Sequence, residues 1–145
     1  MYEQRMNAED RIVRQRTKIM NDERFIAMAG IMMIGEWKVR DDIPTAATNG
    51  RDVFYGRDFV DGIDDATLRF VILHETYHCM FKHLTTWDHL FKEDAGLANA
   101  ACDYVINQMI ADAMPQVPGL LELPDELLLD EKFRGMNAGE VYTAL

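Results

Sequence analysis

Two histidines and one glutamate in residues 71–81, VILHETYHCMF, have the spacing of a metal-dependent hydrolytic site. On an α-helix, His74 and His78 are separated by about 400° of rotation, so both imidazoles project from one face and can reach a single Zn2+ ion. Glu75 is rotated by about 100° from His74, which favours contact with a water molecule on the metal over contact with the metal itself. The spacing therefore predicts His74 and His78 as zinc ligands and Glu75 as the general base.

A catalytic zinc requires a third protein ligand, which we seek on the next predicted helix. Asn99, Asp103 and Asn107 recur there every four residues among apolar side chains, and buried polar groups in such a stripe need partners. We predict Asp103 as the third ligand, with Asn99 and Asn107 orienting a histidine, Glu75 or Asp103. The alternative interpretation is that the stripe is a solvated helix face.

The chain has four histidines, and the other two are alternatives to Asp103. His83 lies nine residues after His74, which is about 180° around an uninterrupted helix. The segment between His78 and His83 contains no Gly or Pro that would break the helix. His89 lies in a predicted connecting region, where solvent is its expected surrounding. The sequence therefore favours Asp103 and leaves His83 and His89 open as third ligands.

The elements around these residues predict an α+β, predominantly α, fold. The first predicted element is a helix over 7–28, capped by Asn7, with a solvated basic face; the apolar segment at 31–39 is either a strand or a continuation of that helix. A β-hairpin that turns at Asn49-Gly50 follows, and then the motif helix from Asp64 or Asp65 to about Leu84. The remaining elements are a helix over about 97–114, a loop at 115–135 and a short helix opened by a capping box of Asn137 and Glu140. The strand beside the turn is positioned to hold an extended peptide by β-augmentation.

Composition restricts the class of protein. A chain of 145 residues predicts one domain over 1–145. Its 25 acidic against 15 basic side chains give a net charge of −10, which disfavours nucleic acid as a partner. No apolar run is long enough for a membrane span, and the two cysteines, Cys79 and Cys102, form no CxxC pair, so we expect reduced thiols, no membrane partner and a cytoplasmic location.

Three segments give the chain a resemblance to a known family. LHETYHCMFKH (73–83), NAACDYVINQMI (99–110) and GMNAGEVYTAL (135–145), after the hairpin and Val53-Phe54-Tyr55, resemble the putative metallopeptidase domain found N-terminal to a von Willebrand factor A-like domain in bacterial and phage proteins. The resemblance implies a zincin-like domain, with a small β-hairpin or sheet packed on the HExxH helix and a ligand helix following it. It implies His74 and His78 as metal ligands and Glu75 as catalytic base. It also implies a place for His83 in the motif, and a C-terminal von Willebrand factor A-like domain as a partner.

The predicted function is therefore a zinc-dependent metallopeptidase, a hydrolase that acts on a peptide or protein substrate. The scheme also needs a donor for the developing oxyanion, and the sequence offers Tyr55, Tyr77, Tyr104 and His83 without choosing among them. The alternative is a catalytically silent zincin-fold module, which binds a partner through its acidic surface or the 115–135 loop.

Overall fold

The structure is a computed structural model that describes residues 6–26, 28–81 and 83–145, without the side chains of residues 83 and 84. The helices and strands of this part of the chain are α1 (Ala8–Met20), α2 (Met28–Met32), β1 (Trp37–Arg40), β2 (Ala46–Thr48), β3 (Val53–Gly56), α3 (Arg57–Asp61), α4 (Asp65–Phe81), α5 (His83–Thr86), α6 (Asp88–Glu93), α7 (Ala95–Ala113) and α8 (Ala138–Ala144), with 3-10 turns at Met114–Gln116 and Glu131–Phe133. The architecture is α+β, with one small sheet in a mainly helical chain. No helix within the described ranges has the length and apolar character to cross a bilayer.

The sheet has the strand order β1-β3-β2, with β1 parallel and β2 antiparallel to the central strand. The hairpin predicted at Asn49-Gly50 is confirmed: the side chain of Asn49 accepts hydrogen bonds from two backbone N–H groups of the turn. Gly50 has a φ of 97°, a conformation in which a side chain would be strained. The hairpin leaves β2 at one edge of the sheet, and this strand contacts α4.

The N-terminal region differs from its prediction. The Asn7 cap is confirmed, because its side chain accepts a 2.8 Å bond from the Asp10 N–H, but α1 ends at Met20 and turns follow it. The apolar segment at 31–39 is divided between the end of α2 and the start of β1. The basic face is not all solvated either, because Arg11 donates to backbone carbonyls at residues 60 and 63. These contacts tie α1 to the segment that precedes α4.

Helix α4 runs through the centre of the main core. Asp64 caps it by accepting a 2.8 Å bond from the backbone N–H of Thr67. The core side chains come from several elements and include Ile12, Ile19, Tyr55, Val60, Leu68, Phe70, Ile72, Leu73, Ile106 and Ile110. The helix was predicted to continue to about Leu84, whereas α4 ends at Phe81 and α5 begins at His83.

The last helices confirm the predicted positions more closely. Helix α7 matches the predicted 97–114 within two residues, and both bonds of the capping box of Asn137 and Glu140 are present in α8. One face of α7 contacts α4, and the opposite face packs on α8 through a second cluster that contains Ala101, Phe133 and Val141. The region around His89, predicted as a connection between two helices, is itself helical in the structure. Helix α6 forms there because Leu90 is buried, and an exposed salt bridge between Lys92 and Asp88 joins successive turns.

Candidate metal centre

Two antiparallel helices bring the predicted ligands together. Asp103 on α7 lies opposite both motif histidines of α4, and its Oδ1 is 3.0 Å from the Nε2 atoms of His74 and of His78. The two Nε2 atoms are 3.1 Å apart. One turn further along α7, Asn107 lies beside His74. Residues four apart share one face of a helix, so His74 and His78 of α4 both project towards the face of α7 that carries Asp103 and Asn107.

Asn107 determines which ring nitrogen of His74 faces this point. Its Nδ2 donates a 2.9 Å bond to the carbonyl oxygen of Leu128, so its Oδ1 faces Nδ1 of His74 at 2.8 Å. An amide oxygen only accepts hydrogen bonds, so Nδ1 of His74 must carry the hydrogen. In the neutral ring, Nε2 then directs a lone pair towards Asp103. Asn107 is 2% exposed, so water does not replace these bonds.

The charge of Asp103 must be balanced where the three atoms converge. Burial acts to raise the pKa of Asp103, but hydrogen bonding with His74 and His78 outweighs it and lowers that pKa to about 2. Burial acts to lower the pKa of His74, and the contact with Asp103 raises it above its ordinary value. Asp103 is thus ionised, and protons or a metal ion must balance it.

The donor set fits a divalent metal ion. Ligand atoms about 2.1 Å from one ion lie roughly 3.0–3.4 Å apart, depending on the coordination geometry, and the three observed separations fall at the short end of this range. Two imidazole nitrogens and one carboxylate oxygen are also ligands that zinc accepts in proteins, with a further position left for water. Within the described residues, His74, His78 and Asp103 are thus a group that can hold a metal ion.

Glu75 lies beside this group without taking part in it. Its side chain is buried, and it lines the same cavity as the two histidines and Asp103. Burial raises the pKa of Glu75 above its usual range, although the neighbouring imidazoles of His74 and His78 act in the opposite direction. Glu75 is thus a buried carboxylate beside a group that can hold a metal ion.

The group opens into a cavity of about 340 Å³. Strand β2 and helices α4 and α7 contribute most of its lining. The lining residues are Thr45, Ala46, Ala47, Thr48, Phe59, Phe70, Val71, His74, Glu75, His78, Asn99, Asp103, Asn107, Leu127 and Leu128. The volume is within the range of ligand-binding cavities.

One edge of β2 faces away from β3, because β2 is an outer strand of the sheet. Hydrogen bonds from Asn49 N–H to Asp52 O and from Gly56 N–H to Thr45 O identify the hydrogen-bonded pairs of the ladder. Pairs alternate along an antiparallel ladder, so the N–H and C=O groups of residues 46 and 48 point to the side opposite β3. Both residues line the cavity. The cavity therefore has a strand edge along one wall.

The other residues of the predicted polar stripe and motif lie in different places. Asn99 lines the cavity and is exposed, and its orienting role towards a histidine, Glu75 or Asp103 stays a prediction. His89 lies on α6 with its ring 6.1 Å from that of Trp87 and is exposed. The side chain of His83 lies outside the described residues.

None of the three tyrosines considered as oxyanion donors lines the cavity. Tyr55 is 1% exposed in the core and interacts with Arg16. Tyr77 stacks on Phe81, and Tyr104 packs against Phe133 on the face of α7 that meets α8. Packing thus holds the rings of Tyr77 and Tyr104, and Tyr55 is buried in the core.

The 115–135 segment contributes two residues that the sequence analysis missed. Leu127 and Leu128 line the cavity, and the Leu128 carbonyl holds Asn107. The available signal was the leucine run of LELPDELLLDE, because apolar side chains in an acidic loop indicate contact with another part of the molecule. A backbone carbonyl as partner has no sequence signal.

Comparison with known proteins gives one match. The sequence profile of a family described as "Putative metallopeptidase domain" matches residues 8–145. This range includes all the residues that surround the candidate metal centre. Among curated proteins and among solved structures, no match is found.

Proposed function

We propose that this chain, which belongs to the putative metallopeptidase domain family, is a zinc-dependent peptidase in which His74, His78 and Asp103 hold the metal and Glu75 is the general base. The observation that carries the proposal is the convergence of three ligand atoms within 3.1 Å of one another. Their position beside a buried glutamate, in a cavity bordered by a strand edge, supports the peptidase reaction in particular.

The choice of zinc depends on the donors together with Glu75. Two histidines and one carboxylate hold zinc in hydrolases, and a similar triad holds iron in oxygenases. Hydrolysis needs a base for the attacking water, and Glu75 supplies one beside the three donors. The combination favours a hydrolytic zinc site.

The residues of the chain then have separate tasks in peptide hydrolysis. Zinc with three protein ligands lowers the pKa of a water in its open position to about 7 and polarises a carbonyl oxygen. Glu75 accepts a proton from the attacking water and donates it to the leaving amine, which returns the carboxylate to its ionised state. Asn107 keeps the Nδ1 proton of His74 in place throughout, so Nε2 remains a ligand.

We assign to Asn99 a hydrogen bond with the substrate carbonyl oxygen. Its amide is exposed on the cavity wall, one turn of α7 before Asp103. The other amide of the wall, Asn107, is engaged by His74 and Leu128. The Thr48 hydroxyl is also engaged, because it donates to the carbonyl of Asp52 in its own turn. This leaves Asn99 as the amide donor that can turn towards a substrate.

An extended peptide is the substrate that suits the free edge of β2. The N–H and C=O groups of residues 46 and 48, which point away from β3, can form ladder bonds with a peptide backbone that passes over the donors. Such pairing depends on the backbone and not on a particular side chain, which fits a peptidase. We infer a zincin-like arrangement, in which the edge strand, the motif helix and the ligand helix surround the scissile bond.

The test compares zinc-loaded wild type with Glu75→Gln on a peptide library, after chelator stripping and reloading with zinc, iron, manganese or cobalt. We expect one zinc per chain in both proteins, and peptide cleavage that Glu75→Gln slows by about 10²–10⁴-fold. Glu23→Gln, at an exposed position in the turn after α1, is the control and should cleave normally. Tight zinc binding without cleavage of any peptide would support the silent binding module instead.

A further inference from the structure

We propose that one end of the cavity is a subsite for an aliphatic or aromatic side chain next to the scissile bond. This inference rests on the proposed function and names its substrate class: peptides cleaved beside residues such as leucine or phenylalanine. Five residues define the subsite, which we call the apolar end: Phe59, Phe70, Val71, Leu127 and Leu128.

The apolar end lies directly beside the candidate metal ligands. Phe70 precedes His74 by one turn of α4, and the centroids of their rings are 5.8 Å apart. Phe70 and Val71 are also buried in the main core, so this part of the lining is held in place by packing. A side chain entering here contacts apolar carbon while the adjacent backbone remains near His74.

The outer wall of the apolar end is anchored to the candidate metal centre. The carbonyl of Leu128 accepts the bond from Asn107, the residue that orients His74, so Leu128 is fixed at the level of His74. Phe59 of α3 also lines the cavity and packs against the main core. The wall is therefore positioned by a buried hydrogen bond as well as by apolar contact.

Charge distinguishes apolar from charged occupants. Among the described residues, the cavity lining contains no lysine or arginine, and its two carboxylates, Glu75 and Asp103, already have roles in the proposed reaction. A charged side chain entering the apolar end would lose hydration without gaining a counterion. An aliphatic or aromatic side chain would gain the free energy of burying apolar surface.

The direction of β2 carries a bound peptide to this end. Thr45 accepts a bond from Gly56 N–H, where α3 begins, while the Thr48 hydroxyl is 3.3 Å from the Cys79 sulfur one residue after His78. The strand thus runs from the α3 side of the cavity to the His78 side. A peptide paired with β2 passes the ligand atoms. Because a strand rises about 3.3 Å per residue, a residue flanking the scissile bond then lies at the apolar end.

The experiment uses a fluorogenic peptide series in which each residue flanking the scissile bond is varied among Leu, Phe, Ala, Asp and Lys. With zinc-loaded wild type, we expect Leu or Phe on one side of the bond to exceed Asp in kcat/KM by about 10–100-fold. Leu128→Lys should remove this preference and improve the Asp peptide relative to the Leu peptide. Leu129→Lys is the matched control, because both leucines are 37% exposed and only Leu128 lines the cavity.

A binding measurement separates this inference from the proposed function. Fluorescence anisotropy with the Leu and Asp peptides and zinc-loaded Glu75→Gln reports affinity without turnover. If wild type cleaves nothing but Leu peptides bind in a manner that depends on Leu128, the peptidase proposal fails and the subsite is retained. Cleavage and binding without preference for apolar residues, or equal effects of Leu128→Lys and Leu129→Lys, would overturn the subsite.

Discussion

Replacing Asn107 by leucine tests whether this side chain positions a metal ligand. The substitution removes the acceptor of the His74 Nδ1–H and the donor to the Leu128 carbonyl while keeping an apolar side chain of comparable size. Loss of an outer partner of a metal ligand costs about 10–100-fold in metal affinity. We therefore expect zinc to bind about 10–100-fold more weakly, which corresponds to about 1.4–2.7 kcal/mol.

The same substitution has a second, metal-independent cost. Asn107 is 2% exposed, so its two former partners lose their bonds where water cannot replace them. At about 1–3 kcal/mol for each of these two unsatisfied groups, we expect the free energy of unfolding of metal-free protein to fall by about 2–6 kcal/mol. At a zinc concentration of about 1,000 times the wild-type Kd, zinc binding raises the free energy of unfolding of wild type by about 4 kcal/mol. If Asn107→Leu binds zinc about 30-fold more weakly, the same zinc concentration raises its free energy of unfolding by about 2 kcal/mol.

Two assays measure these quantities separately. Competition with a chromophoric chelator gives the zinc affinity, and urea unfolding with and without zinc gives the two free energies. Asn99→Leu is the matched control, because Asn99 lies on the same face of α7, about two turns before Asn107, and is exposed. Wild-type zinc affinity in Asn107→Leu, or a larger loss in Asn99→Leu, would refute the positioning role of Asn107.

Three other substitutions have distinct expected outcomes. Asp103→Ala should lower the zinc affinity by more than about 100-fold, the upper value expected for loss of an outer partner, whereas His89→Ala should bind zinc normally. The reverse result in the chelator assay would exclude Asp103 as third ligand. Asn99→Ala should lower kcat by about 10²-fold with unchanged zinc affinity, and steady-state kinetics that show an unchanged kcat would remove Asn99 from the reaction. Arg69→Met should reduce the free energy of unfolding in urea by about 2–4 kcal/mol, because this buried guanidinium donates to the Leu120 carbonyl and to Gln15; a loss under 1 kcal/mol would contradict that role.

Local rules were sufficient for much of the fold. The caps at Asn7, Asp64 and Asn137 and the turn at Asn49-Gly50 depend on side chains that bond to backbone groups two or three residues away. Such bonds form within a short segment, so the residue types alone predict them. Family membership was also predictable, because the motif segments carry it and the family profile matches residues 8–145.

Helix ends and connections were less predictable, because tertiary contacts decide them. The region around His89 has no strong local helix signal, and α6 forms where Leu90 is buried. Helix α1 ends at Met20, although its apolar spacing continues into the turns that follow. Burial against distant elements overrides weak local preferences at such places.

The sequence by itself determined the face that His74 and His78 share and the stripe that contains Asp103 and Asn107, because helical periodicity is a local property of the chain. The tertiary structure decided that these two helices lie antiparallel, with Asp103 3.0 Å from both imidazoles. It also decided that Asn107 lies beside the His74 ring, and that Leu128 holds Asn107 through a backbone carbonyl. The physical reason is that every residue has such a carbonyl, so only the folded arrangement selects the one that bonds to Asn107.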